Sequence, residues 1–304
     1  MKAFRRPALL IGVLFVIMGA GAPVEADMAA EAIGPSVRYA GLNGCFCAPW
    51  TLWTWDGQVI RLTDARVFTG KAGKQRAPLA LSPDGEYVAY FRREDGALVI
   101  RGMSTGRVRE VPGVQWSRRL RATRIDLAPA GRYLVLGSEQ DDRVLDARSG
   151  RSTVVPSGLQ PWSFSPGAKL MLAVDDEFRA EIYSTATLTE RGHAPVGGAL
   201  SPDGTTVAHF TSDDSAIILW DVAAGRSGGR QPIPLPAAKI PVRLRWDGPG
   251  HLDLQMVVPG KVGNGVDAVY SWYRLDLGSG AAQPVDTFTV PGSVYNPIVA
   301  GLSP

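Results

Sequence analysis

Three features of the sequence predict an all-β fold, a six-bladed β-propeller built from four-stranded antiparallel blades. A unit of strand, tight turn, strand, acidic turn and strand recurs at a fixed period of about 40 residues, the mark of a propeller or solenoid. The apolar runs between the turns are too short for helices and rich in β-forming residues. The C-terminus reads as the opening of a further repeat whose remainder stands near the N-terminus.

The clearest unit runs from Gly197 to Asp221 and turns at Ser201-Pro202-Asp203-Gly204. Proline presets φ for the first turn position, and glycine supplies the positive φ that closes the turn. Degraded copies lie at Ser82-Pro83-Asp84-Gly85, Ala128-Pro129-Ala130-Gly131, Ser165-Pro166-Gly167 and Trp246-Asp247-Gly248. Positions 82, 128, 165 and 201 are spaced by 46, 37 and 36 residues. A second hairpin follows each third strand, as at Ser104-Thr105-Gly106, Arg148-Ser149-Gly150, Ala223-Ala224-Gly225 and Gly278-Ser279-Gly280, and leads to a fourth strand. Four antiparallel strands per unit define a propeller blade.

At the start of the chain, Thr51–Trp55 and Gln58–Thr63 read as the last two strands of blade one, with its second strand around Cys45. Its innermost strand is missing there. The tail from Pro297 to Pro304 is expected to supply it, which removes two exposed sheet edges. The count is then six, with five or seven also compatible with the spacing.

Ahead of the blades, Lys2, Arg5 and Arg6 precede an apolar run from Ala8 to Ala22, and Val24-Glu25-Ala26 offers a small-x-small exit. Residues 1–26 therefore read as a secretory signal peptide, residues 27–38 as a short linker and residues 39–304 as the propeller domain. An uncleaved anchor is the alternative, but the run falls short of the roughly 20 residues of a membrane span. Cleavage after Ala26 would take the net charge from +3 to +1, which offers no electrostatic case for nucleic acid. Cys45 and Cys47 are the two cysteines, too few for a zinc site without neighbouring histidines. They read as small strand residues or as a local disulfide.

The Ser-Pro-Asp-Gly turns followed by an apolar strand and a Gly-Arg hairpin resemble the propellers of TolB-like and WD40-like proteins, over roughly residues 40–304. Blade five is also similar to a WD40 blade, with Gly192-His193, then 26 residues, then Trp220-Asp221. That resemblance implies a structural hydrogen-bonded tetrad of His193, Ser212, Asp214 and Trp220.

No catalytic constellation emerges. Gly102-Met103-Ser104-Thr105-Gly106 matches G-x-S-x-G, but that motif needs a strand–turn–helix elbow and here falls in a hairpin. The three histidines, His193, His209 and His251, form no metal-spaced pair. Candidate partner-binding residues come from two patterns. The turns between second and third strands are acidic in four successive blades: Glu94 and Asp95, then Asp141 and Asp142 beside Glu139, then Asp175 and Asp176 beside Glu177, then Asp213 with Asp214. These turns share one face, where a broken acidic ring would attract a cation or a basic partner; aspartate is also a common hairpin residue. On the same face, Trp116, Arg118, Arg119, Arg121 and Arg124 fall in the long connection between blades two and three, an interface-like composition. A Gly-rich insertion at 258–266 is a second candidate contact loop, and Trp50, Trp53 and Trp55 are expected to pack between blades.

The expected protein is an exported, non-enzymatic binding or scaffold module, monomeric, without cofactor or metal, acting on an unknown protein partner in the cell envelope and free of the membrane once its leader is removed. The rival is a propeller hydrolase or lyase acting on a glycan or lactone with a channel metal ion.

Overall fold

A computed structural model describes residues 36–69, 75–116, 124–138, 141–233, 239–258 and 267–300. The expected leader, most of the expected linker, and Arg118, Arg119, Arg121 and Glu139 lie outside the described residues. Six four-stranded antiparallel sheets follow one another along the chain, beside a two-stranded hairpin of Phe68–Thr69 and Gln75–Arg76. Among the described residues the one helical turn is a 3-10 turn at Pro129–Gly131.

Blade two comprises Leu79–Leu81, Tyr87–Phe91, Ala97–Gly102 and Val108–Gln115, and blade three Arg124–Leu127, Tyr133–Gly137, Asp142–Asp146 and Ser152–Val154. Blade four comprises Gln160–Phe164, Leu170–Val174, Ala180–Ser184 and Glu190–Ala194. Blade five follows with Ala199–Leu200, Thr206–Phe210, Ala216–Asp221 and Arg226–Pro232, and blade six with Ile240–Trp246, His251–Val258, Ala268–Asp276 and Ala282–Val290. Blade one is built from both chain ends: Val294–Val299 lies innermost, paired with Val37–Asn43, which is followed by Trp50–Thr54 and Val59–Leu62. The closing strand thus begins three residues earlier than the tail Pro297–Pro304 suggests. Blade one's second strand ends at Asn43, so the cysteines fall in the turn after it rather than in the strand.

Successive side chains on a strand point to opposite faces, and in each blade both faces are covered. Leu79, Leu81, Val88, Tyr90 and Val99 pack towards blade one, while Ala80, Ala89, Phe91, Leu98 and Ile100 pack towards blade three. One such apolar cluster sits between every adjacent pair of blades, including Tyr39, Trp272, Phe288, Val290 and Val294 between blades six and one. This is why the strands read as continuous apolar runs instead of alternating.

The recurring turn fixes the first and second strands. Ser82, Ser165 and Ser201 are buried, and their hydroxyls accept from the amides of Tyr87 (2.9 Å), Leu170 (3.2 Å) and Thr206 (3.0 Å). Asp84 and Asp203 accept hydrogen bonds from the serine hydroxyls and from the amides of Glu86 and Thr205. Gly85 has φ +71°, and a Cβ there would lie 2.2 Å from the Val37 carbonyl oxygen. The turn glycine therefore also sets how closely blade two approaches blade one.

Trp116 docks on its own blade, ring to ring with Phe91 at 5.0 Å, while its amide donates to the Gly96 carbonyl at 2.6 Å. Trp50 is buried between blades one and two, and Trp53 and Trp55 pack against the cluster shared with blade six.

Closure by both ends predicts that deleting residues 296–304 lowers the melting temperature by at least about 10 °C, read by circular dichroism; an unchanged value rejects the closure. A second test uses Tyr90, whose hydroxyl donates to Asp64 at 2.6 Å. Burial, reinforced by that bond, pushes the phenol up to about 12. An unfolded phenol titrates near 10, so the contribution is whole below that pH and is lost as the pH rises towards the native value. Stability should fall by on the order of 2 kcal/mol more in the wild type than in Tyr90→Phe between pH ~10 and ~12. Parallel curves for the two proteins would refute this.

Candidate functional site

The innermost strands of the six blades surround a central cavity of about 630 Å³. Its wall is mostly apolar, with Leu79, Leu81, Ile125, Leu127, Leu244 and Ile298 among its residues. In an antiparallel blade the turns between second and third strands share a face with the connections that enter each first strand. The acidic turns define that upper face, and the Ser-Pro-Asp-Gly turns the lower one.

Five polar side chains, Arg243, Asp126, His209, Ser163 and Arg245, give the cavity its chemistry. Arg243, on the innermost strand of blade six, opens onto the cavity while protein surrounds it, and it donates to the Val299 carbonyl at 3.2 Å. Burial holds its guanidinium below the ordinary arginine range; Asp126 opposes that effect and Arg245 adds to it. Asp126, among the described residues, is the carboxylate lining the cavity. Burial raises its affinity for a proton, Arg124 opposes this most strongly, and Asp142 adds to it. Arg124 bridges the two acids, at 2.7 Å to Asp126 and 2.8 Å to Asp142. Arg124 is therefore the first residue of an innermost strand, not a member of the loop before it.

His209 sits at the upper end of the cavity, its Nδ1 3.0 Å from the Phe210 carbonyl. A carbonyl only accepts, so Nδ1 is the donor in this bond. Ser163 donates its hydroxyl to the Gly198 carbonyl at 2.8 Å, so it is not aimed at His209. At the lower end Arg245 reaches the Pro83 carbonyl of blade two at 3.1 Å and pairs with the fully buried Asp253 at 2.7 Å. Arg274 holds the other oxygen of Asp253 at 3.1 Å.

The upper mouth carries an apolar rim. Trp162 is 51% exposed and Phe178 56%, the two rings meeting edge to face at 6.1 Å. Val242, beside Arg243, and Ile240 are exposed on the entering strand of blade six. None of these stood out in the sequence. The available signal was charge inside an innermost strand: Val242-Arg243-Leu244-Arg245 and Arg124-Ile125-Asp126 interrupt positions that elsewhere read as Leu79-Ala80-Leu81.

The acidic turns do share the upper face, but most of their charge is committed. Asp95, Asp175 and Asp213 accept the amide two residues on, from Ala97 (3.0 Å), Glu177 (2.9 Å) and Ser215 (3.1 Å). Asp95 also pairs with Arg92, Asp141 with Arg143, Asp142 with Arg124 and Asp175 with Arg179. Glu94 borders a cleft with Arg92 and Arg93, and Asp176 is exposed in its turn. Among the described residues these turns carry paired charges of both signs. Among the described residues, no three His, Cys, Asp or Glu side chains gather in a metal-binding group.

The four residues of the WD40-type tetrad are placed apart by their bonding. His193 is exposed on the outer strand of blade four, Ser212 is exposed, and the Trp220 Nε1 has no hydrogen-bond partner among the described residues. Thr211, one residue before Ser212, does the work in that turn: its hydroxyl binds Asp213 at 2.6 Å and accepts the Ala216 amide at 3.0 Å. Asp214 sits at φ +56°, a left-handed position that glycine favours. The turn therefore repeats the Ser-x-Asp device of the lower face. Ser104 lies in the tight turn between the third and fourth strands of blade two, with no helix after it.

No family model matches the chain, and no curated protein matches it. Among solved structures it is similar to TolB from Acinetobacter baumannii, at 14% identity and a TM-score of 0.47, covering 88% of this chain and 67% of that one. It is similar to a putative TolB from Agrobacterium tumefaciens, at 14% identity and a TM-score of 0.47, covering 85% and 91%. Hydrazine synthase of Kuenenia stuttgartiensis aligns at 17% identity and a TM-score of 0.39, covering 69% and 66%. The chain thus spans about two thirds of the length of the hydrazine synthase and Acinetobacter TolB chains. The six-bladed propeller fold is established by the blade ladders themselves.

If Asp214 serves the turn alone, Asp214→Gly should leave unfolding stability unchanged or raise it by up to about 1 kcal/mol. A loss above that size in urea unfolding would return Asp214 to a hydrogen-bonded tetrad.

Proposed function

We propose that the chain is a binding module, with no chemistry of its own, that takes a protein segment at the upper mouth of its channel. The observation that carries this reading is the exposed apolar rim of Trp162, Phe178, Ile240 and Val242 around a cavity with few polar groups. Arg243 gives the site its polarity: among the described residues its one hydrogen bond goes to a main-chain carbonyl, which leaves further donors for an acidic group entering from above. The hydrolase or lyase reading needs converging acidic groups, and Asp126 instead sits against the guanidinium of Arg124. Export accords with the basic start, short apolar run and small-residue exit of residues 1–26, and with a disulfide between Cys45 and Cys47, a bond favoured outside the cytoplasm.

Photo-crosslinking in the producing cell tests the site. A photoreactive residue at Phe178 or Val242 should give discrete protein adducts, while one at Val154, exposed on the outer edge of blade three, should not. Adduct yield should fall at least about tenfold on adding Trp162→Ala or Arg243→Ala, the loss of one anchor contact. Equal labelling from all positions would reject the mouth as the site. Turnover of a lactone or glycan that is lost in Asp126→Asn would replace the binding reading with the enzymatic one.

A further inference from the structure

We infer that the Cys45–Cys47 disulfide is a thiol–disulfide exchange site on the upper face, reactive towards an external dithiol. The bond joins residues two apart, so it closes a very small ring and restrains little of the unfolded chain. The hairpin around it is held by other means. Leu42 pairs with Trp50 across it, both buried, the Ala48 amide donates to the Cys45 carbonyl at 3.2 Å, and the Gly44 amide donates to Ser293 at 2.9 Å. A disulfide this redundant for folding can open without releasing the blade.

The two cysteines differ in exposure. Cys47 is exposed and Cys45 half-buried, at the tip of a turn that projects from the upper face. An exposed disulfide is the labile kind. Positive charge stands beside it: the Arg76 guanidinium lies 4.2 Å over the ring of Phe46, the residue between the cysteines. The Arg76 Nη1 has no hydrogen-bond partner among the described residues. A cation there favours the thiolate that leaves when the bond opens. Phe46 itself is 51% exposed and packs on Tyr295 at 4.3 Å, an apolar contact available to an incoming partner.

The exchange proceeds as two displacements. A thiolate of the partner attacks the Cys47 sulfur, forming a mixed disulfide while the Cys45–Cys47 bond breaks and Cys45 leaves as thiolate. The partner's second thiolate then attacks its own sulfur in the mixed disulfide and releases Cys47. The partner loses two electrons and becomes a disulfide; this chain gains them, takes up two protons and becomes a dithiol. The reverse direction oxidises the chain and reduces the partner. With two cysteines in the sequence, the one internal thiol that competes for the mixed disulfide is Cys45, whose return expels the partner and restores the starting bond. This inference stands apart from the channel and does not depend on what binds there.

The test is a redox titration of the purified full chain, folded, in a series of reduced-to-oxidised glutathione ratios, with thiols counted by alkylation and mass. The pair should be oxidised as purified and reduced by glutathione without denaturant, with the melting temperature shifting by less than about 3 °C. Three results overturn the proposal: free thiols in protein purified without reductant, resistance to glutathione until the chain unfolds, or a drop in melting temperature beyond that limit. Single variants then identify the attacked sulfur. Cys45→Ser, which leaves exposed Cys47, should form a mixed disulfide with oxidised glutathione at least about tenfold faster than Cys47→Ser; equal or reversed rates reject Cys47. If either variant fails to fold, the wild-type titration still decides.

Discussion

Every blade in this ring has two apolar faces and no way to bury both by itself. That constraint governs the rest of the structure. A lone four-stranded sheet of this composition would expose Leu79, Leu81 and Val88 on one side and Phe91, Leu98 and Ile100 on the other. Each neighbour covers one side, and covering the last face requires the ring to close. The paired chain ends of blade one are therefore the consequence of the same burial that makes the strands apolar throughout.

Two polar devices refine that arrangement. The Ser-x-Asp turn satisfies amides that a tight corner would strand, with serine buried and aspartate at the surface. The same device recurs on the upper face through Thr211 and Asp213. Ion pairs play the second part. Asp253 is fully buried yet shared between Arg245 and Arg274, and Arg245 continues to a carbonyl of blade two, so one network joins blades that are not neighbours. A buried carboxylate is tolerated only with such partners.

The fold was legible in the sequence because its determinants are local and periodic. Proline and glycine in the turns, short β-rich runs and a repeat near 40 residues name a blade without reference to any other part of the chain. The site was less legible because it is assembled from one strand per blade. Arg243, Asp126, His209 and Trp162 come from four blades, and nothing in their spacing along the chain announces that they share a cavity. The acidic turns misled in the opposite way: Asp95, Asp175 and Asp213 are conspicuous in sequence, yet their oxygens are already taken by neighbouring amides and arginines. Only the bonding distinguishes a carboxylate that folds a turn from one that waits for a ligand.

The pairing of Tyr39 with Val299 joins residues 260 positions apart, since strand two of blade one waits for the last strand of the chain. Loop closure over such a distance is an entropic barrier that local hairpins do not meet, so the five continuous blades can assemble before the ring shuts. Until then an incomplete ring presents open strand edges on both sides of the gap, the species most prone to pair with a second chain. The final strand is thus a kinetic latch: what it governs is how long the molecule remains open to misassembly, and how rarely the finished ring reopens.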